Sequence, residues 1–326
     1  MRTIPTAFTE MMKIKLPIIA APMFLVSNED MVVEASEHGA IGTFPALNYR
    51  PIEKYAEALR NIRKRTSKPI GVNIIVNKSN SRQNEDLKHA LDAGVDLFIT
   101  SLGNPKDVIR EAHKNGARVI CDVTNLDFAL KVEDLGADGV IAVAQGAGGH
   151  AGPITPMVLV PWLKSRIQIP VILAGGISHG SGLAAALTLG ADAVSVGTRF
   201  IASTEAGVDR AYKDAVVESS AEDIVMTTRI SGTPAAVIKT PYVEKLGLEL
   251  PWIVRELKEN KHTKKFAVPL IHYMGMKALE EAAEKPTWKT VWSAGQSVGL
   301  IDEVLSVREI LEKMLREYDH ARARLR

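Results

Sequence analysis

The sequence predicts an α/β protein whose core is a closed (β/α)8 barrel, with a mainly helical lid inserted after the eighth strand. Three observations lead there. Eight short runs are apolar along their length and rich in β-branched residues, amphipathic segments separate them, and successive runs begin about 20 to 30 residues apart in a chain of 326. Strands apolar throughout are covered on both faces, as parallel strands joined by helical crossovers are.

In order, the runs are PIIAAPM (17–23), AIGTFPA (40–46), PIGVNII (69–75), LFITSLG (97–103), ARVICDV (117–123), GVIAVAQ (139–145), PVILAGG (170–176) and AVSVGT (193–198). Between them lie helical patterns such as NEDMVVEASEHG, IEKYAEALRNIRKR and DFALKVEDLG. Several stop at a glycine, as helix C-caps do: Gly39, Gly94, Gly116, Gly136 and Gly190. Eight βα units favour a TIM barrel over a doubly wound open sheet, which usually has fewer strands. After Phe200 the rhythm breaks. Residues 205–291 are mostly helical in pattern, and their charged run RELKENKHTKKF reads as a solvated helix face. The glycine-rich WSAGQSVGLI (292–301) then leads into a last helix, DEVLSVREILEKMLREY. The predicted layout is therefore a barrel of residues 1–204 plus 292–326, with 205–291 as a substrate or lid domain.

Composition narrows the function classes. Hydrophobic residues make up 46% and charged residues 24%, the balance of a globular protein. A net charge of +2 and the lack of an aromatic-basic stripe argue against nucleic acid. The basic ending HARARLR reads as solvated charge at the C-terminal end of a helix dipole. No apolar run is long enough for a membrane span or a secretion signal, so a cytoplasmic location is expected. The single cysteine, Cys121, excludes an intramolecular disulfide and a cysteine-rich zinc site, and within RVICDV it reads as a small buried hydrophobe.

The loops after strands 6, 7 and 8 are rich in glycine, and in a barrel they open on one face. GAGGHA (146–151) fits the dinucleotide fingerprint, but the acidic residue that should end the next strand is missing, because that strand ends LAGG. LAGGISHGSG reaches a helix N-terminus near Gly180, and SVGTRF ends its strand at Gly197 and Thr198. Bare N–H groups and a helix N-terminus make an anion site where barrels commonly bind phosphate. No lysine ends a strand, and no paired histidines or carboxylate cluster suggest a metal; His179 stands alone. What remains at the strand ends is nearly uncharged: Ala21, Pro22, Met23, Phe44, Asn73, Gln145, Gly148 and Gly149, with Asp122 as the main exception. Such a surface suits a flat ring system with amide partners for its edge, as in the flavin of FMN. Gly148 and Gly149 would let the backbone approach the ring, and His150 would stand over a substrate beside it. Of the other histidines, His38, His89, His113, His262, His272 and His320 read as surface or packing residues.

PIIAAPM, GVN, AQGAGGHAG, AGGI and GTRF, in that order, resemble the nitronate monooxygenase family, FMN-dependent TIM-barrel enzymes formerly called 2-nitropropane dioxygenases. The resemblance covers 17–204 and reappears in WSAGQSVGLI. It implies that Ala21, Pro22 and Met23 line the flavin, and that Asn73 and Gln145 hydrogen-bond it. It further implies that Gly149 lies against the ring and that Gly175, Gly176, Gly197 and Thr198 take the phosphate. His150 matches the histidine of the family's GGH motif, which would orient a nitronate or, as a general base, remove the α-proton of a nitroalkane. The implied reaction joins nitronate and O2 to give a carbonyl compound and nitrite. The glycine loop is shorter than the AQGxEAGGH form, and Asp122 stands where some relatives carry a lysine. Two other functions stay open: an NAD(P)H-dependent flavin reductase of enoyl thioesters or quinones, and a non-redox phosphate-binding protein or isomerase. A homodimer is compatible with every reading.

Overall fold

A computed structural model of the chain describes residues 2–77, 80–229, 233–249 and 291–324. Eight parallel strands close into a barrel: β1 (Ile18–Ala20), β2 (Ile41–Pro45), β3 (Ile70–Ile75), β4 (Leu97–Ser101), β5 (Arg118–Val123), β6 (Gly139–Val143), β8 (Val171–Ala174) and β9 (Ala193–Val196). A two-residue strand, β7 (Gly149–His150), lies outside the barrel between β6 and β8. Closure comes from β9 pairing with β1, where Ile18 faces Val194 and Ala20 faces Val196. Each predicted run contains a barrel strand.

Helices α2 (Glu29–Glu37), α3 (Ile52–Arg65), α4 (Gln83–Asp92), α5 (Lys106–Lys114), α6 (Leu126–Asp134), α7 (Pro156–Lys164) and α8 (Gly180–Thr188) follow the strands in turn. The five glycines read as C-caps all adopt positive φ, between 64° and 100°, a conformation that costs a side-chain-bearing residue energy. α1 (Ala7–Met12), held by a Thr6–Thr9 capping box, precedes the barrel.

Period-two alternation divides the core in two. Ile19, Ile41, Leu97, Ile99, Ile120, Ile141, Ile172 and Ala193 pack together inside the barrel, and Phe8 and Met12 of α1 join the same cluster. The barrel is thus filled rather than hollow, and ligands are confined to its C-terminal mouth. Their neighbours, among them Val72, Phe98, Val119, Cys121, Val140 and Val194, belong to the second core with the helices. Cys121 is buried there, and burial pushes its thiol pKa up to about 12, so it behaves as the small hydrophobe expected. Phe44 also belongs to this outer core, packed on Tyr49 and Tyr55; listing it with the mouth residues was an error of register.

Beyond β9 come α9 (Thr198–Ile201), α10 (Arg210–Glu218), β10 (Ile224–Thr227), β11 (Ala235–Ile238), α11 (Pro241–Leu246) and, at the end, α12 (Val307–Ala323), which packs on α8 and α2. β10 and β11 form an antiparallel hairpin within the stretch whose pattern is mainly helical. Four-residue apolar runs such as these fit a strand and a helix turn equally well, which is why periodicity missed them. β7 joins β11 antiparallel, with His150 opposite Ala235 and Gly149 opposite Ala236. His262, His272 and the run RELKENKHTKKF lie outside the described residues.

Candidate active site

The inward residues nearest the C-terminal ends of the strands make up the barrel mouth. Alternation puts Ala21, Pro45, Val143, Ala174 and Gly197 there from β1, β2, β6, β8 and β9, and Asn73, Ser101 and Asp122 from β3, β4 and β5. The polar members are contiguous and linked. The Asn73 amide donates to the Ile99 carbonyl at 3.1 Å and to Ser101 Oγ at 2.9 Å, and the Ser101 hydroxyl donates to Asp122 Oδ2 at 2.6 Å. One side of the mouth is a hydrogen-bonded arc, and the other is apolar. Water reaches Asp122 through the open mouth, but the surrounding wall still strips enough solvent to push its pKa up to about 6; the Ser101 hydrogen bond opposes that shift.

The loop after β1 is fixed by its own Ser27 and by Asn48 from the segment after β2. Met23 N–H donates to Ser27 Oγ, Ser27 donates to the Ala21 carbonyl, and Asn48 donates to the Met23 carbonyl. Ala21, Pro22 and Met23 are half-buried. A side chain at Gly197 would sit 3.5 Å from Met23 Sδ and 3.8 Å from Ala21 Cβ, so the β1 and β9 loops are neighbours, as the cofactor reading requires.

The glycine loop after β6 answers to two constraints. Gly149, at φ 67°, has open space on its side-chain side, and both it and the exposed His150 are held by the β7–β11 pairing. Gly148 differs from the expectation. A Cβ there would lie 2.8 Å from the backbone of Ala294 and Gly295, and one at Gly295 would lie 2.3 Å from the Gly146 carbonyl. These glycines let two backbones touch. Gln145 is exposed at the mouth, and its N–H donates to the Ile154 carbonyl.

The two loops expected to hold a phosphate leave adjacent strands, β8 and β9, and one part of that expectation is corrected. Gly175 and Gly176 take positive φ after β8; Gly176 N–H donates to the Gly146 carbonyl at 3.1 Å, and the buried Thr198 hydroxyl accepts from Gly295 N–H at 3.0 Å. The helix N-terminus at Gly180 is not open to a ligand. Gly180 N–H donates to Glu317 Oε2 of α12 at 2.8 Å, and His179 pairs with the other oxygen of the same carboxylate at 3.1 Å. A sequence window cannot reveal a carboxylate arriving from the last helix. Ser101 was missed too, although alternation along LFITS places it inward beside Asp122. Among the described residues, no group of three or more His, Cys, Asp or Glu side chains could hold a metal, and no helix is long and apolar enough to cross a membrane.

The profile of one protein family, described as nitronate monooxygenase, matches residues 5–317. The chain belongs to the nitronate monooxygenase family. It is therefore an oxidoreductase of a family that is generally flavin-dependent. Among curated members it is 28% identical to a probable nitronate monooxygenase of Staphylococcus saprophyticus, over 96% of this chain and 97% of that one. It is 27% identical to the (3aS,4S,5R,7aS)-5-hydroxy-7a-methyl-1-oxo-octahydro-1H-indene-4-carboxyl-CoA dehydrogenase of Mycobacterium tuberculosis, over 95% of each chain. Among solved structures, FabK from Thermotoga maritima superposes with a TM-score of 0.84 at 34% identity, covering 99% of both chains. These relatives thus match nearly the full length of this chain, its barrel included.

Proposed function

We propose that this chain is an FMN-dependent nitronate monooxygenase, oxidising alkyl nitronates with O2 to carbonyl compounds and nitrite. The observation that carries the reading is His150 fixed on β7 next to Gly149, whose side-chain space is open, in the loop after β6, the mouth's top layer holding one ionisable side chain, Asp122, among the described residues. The residues present fit FMN. Ala21, Pro22, Met23 and Gly149 offer a side-chain-poor surface to a flat ring, Asn73 and Gln145 offer amides to its edge, Gly175, Gly197 and Thr198 offer backbone to a phosphate, and Gly176, whose N–H is held by the Gly146 carbonyl, offers open space beside them. Gly148 serves by seating the loop against residues 294–295. FMN supplies the electron acceptance that no side chain of this site can provide.

The chain's own part is orientation and proton handling. His150 holds the nitro group of an anionic nitronate, or takes the α-proton when a neutral nitroalkane binds; imidazole is the side chain whose two nitrogens can serve either as hydrogen-bond donor or as proton acceptor. We assign residues 205–291 the role of substrate domain, because the hairpin within it holds the strand that carries His150. A second reading, an NAD(P)H-dependent flavin reductase of enoyl thioesters or quinones, is favoured by the similarity to a protein named as an indene-4-carboxyl-CoA dehydrogenase, whose name carries a CoA thioester.

The visible spectrum of the purified protein, before and after incubation with FMN, tests the cofactor. Nitronate-dependent oxygen uptake supports the first reaction, and rapid anaerobic bleaching by NAD(P)H supports the second. His150→Asn is expected to lower kcat/KM for the nitroalkane by about 10²-fold or more, the usual contribution of a general base. Full turnover in that variant removes His150 from the chemistry.

A further inference from the structure

The polar arc of the mouth carries a hydrogen-bonding imbalance that a ligand has to resolve. Asn73 uses both amide protons inside the wall, one on the Ile99 carbonyl and one on Ser101, which leaves only its Oδ1, an acceptor, for a ligand. Ser101 has one proton, and it goes to Asp122 Oδ2. Asp122 Oδ1 has no donor among the described residues. With Asp122 ionised, the arc therefore presents acceptors alone. The imide edge of a flavin alternates carbonyl, N–H and carbonyl. It needs an acceptor opposite the N–H and a donor opposite a neighbouring carbonyl, and a buried acceptor–acceptor clash is costly.

Resting on the flavin reading above, we infer that Asp122 acts as a neutral carboxylic acid, donating from Oδ1 to a carbonyl of the imide edge while Asn73 Oδ1 accepts from its N–H, and that loading FMN takes one proton from solvent onto Asp122. The balance is simple: carboxylate plus a proton from the buffer gives the carboxylic acid, and no electron moves. Ser101 is the positioning residue, since its hydrogen bond to Oδ2 fixes which oxygen is left for the ligand.

The surroundings support the assignment. The inward neighbours of Asp122 on β4 and β6 are Ile99, Ser101, Ile141 and Val143, none of them titratable. On its own strand, Cys121 faces the outer core. Neither His150 in the loop after β6 nor any other charged group of the described residues shifts Asp122; loss of solvent does, and already holds its pKa near 6. A ring that displaces the remaining water pushes it further the same way.

The experiment is calorimetric titration of the FMN-free protein with FMN at about pH 7 in buffers of different ionisation enthalpy, which counts protons taken up. FMN's own phosphate contributes equally in every variant. The wild type is expected to take up close to one proton more than Asp122→Asn, whose amide offers the same donor permanently. Asp122→Asn is expected to bind FMN as tightly as the wild type, and Asp122→Ala about tenfold more weakly. Equal proton counts in wild type and Asp122→Asn overturn the proposal, as does an Asn variant as weak as the Ala variant. If the wild type binds no FMN at all, the cofactor reading itself falls, and this inference with it.

Discussion

Gly148 shows how much one hydrogen atom in place of a side chain can decide. Adding a methyl group would drive it against the Ala294–Gly295 backbone at 2.8 Å, and backbone cannot swing aside as a flexible side chain can. Gly148→Ala is therefore expected to cost about 1–3 kcal/mol, the range for overpacking, measurable as a lower urea midpoint. Asp122 makes a prediction of opposite character. Its folded-state pKa, about 6, lies above the ordinary value of 3.8, so between those values Asp122 binds more protons in the folded protein than in the unfolded chain. Asp122's contribution to the stability of the FMN-free protein is then fully present below about pH 4 and is lost as pH rises to about 6 and beyond. Asp122→Asn is expected to flatten that slope in urea titrations at about pH 4.5 and about pH 7. Residues such as Asn73 and His150 were legible from motif and strand alternation. Gly148's role was not, because its partner backbone lies almost 150 positions further along the chain.

Among the elements, the strands were the most legible, since a fully buried parallel strand must be apolar on both faces and β-branched runs mark it plainly. The hairpin of β10 and β11 was not, for its runs are four residues long and give neither period a chance to show. The short helix α1 is six residues, too short to be stable alone, and is held by what Phe8 and Met12 bury in the barrel interior. Phe8 is fully buried. Phe8→Ala is expected to destabilise the fold by about 3–5 kcal/mol, read from chemical denaturation. Because α1 lies before β1 and the mouth is at the strands' opposite ends, FMN affinity of the protein that remains folded is expected to be unchanged.

For the whole molecule, the loops after β6, β8 and β9 meet the 292–301 stretch, the loop after β1 lies beside Gly197, and α12 closes the N-terminus of α8 through Glu317. A ligand gripped by that convergence stabilises every element it spans. FMN at a hundred times its Kd is expected to add about 2.7 kcal/mol, a rise of several degrees in Tm by calorimetry, and an unchanged Tm would count against the cofactor. The arrangement around β7 has a further consequence. The imidazole is borne on a strip of chain stitched to the excursion that follows the cylinder, through the pairs Ala235–His150 and Ala236–Gly149. Exchanging that excursion between homologues would re-aim the histidine as well as reshape the space for the incoming molecule. New preferences could then arise in this architecture without a single change to the eight staves of the cylinder.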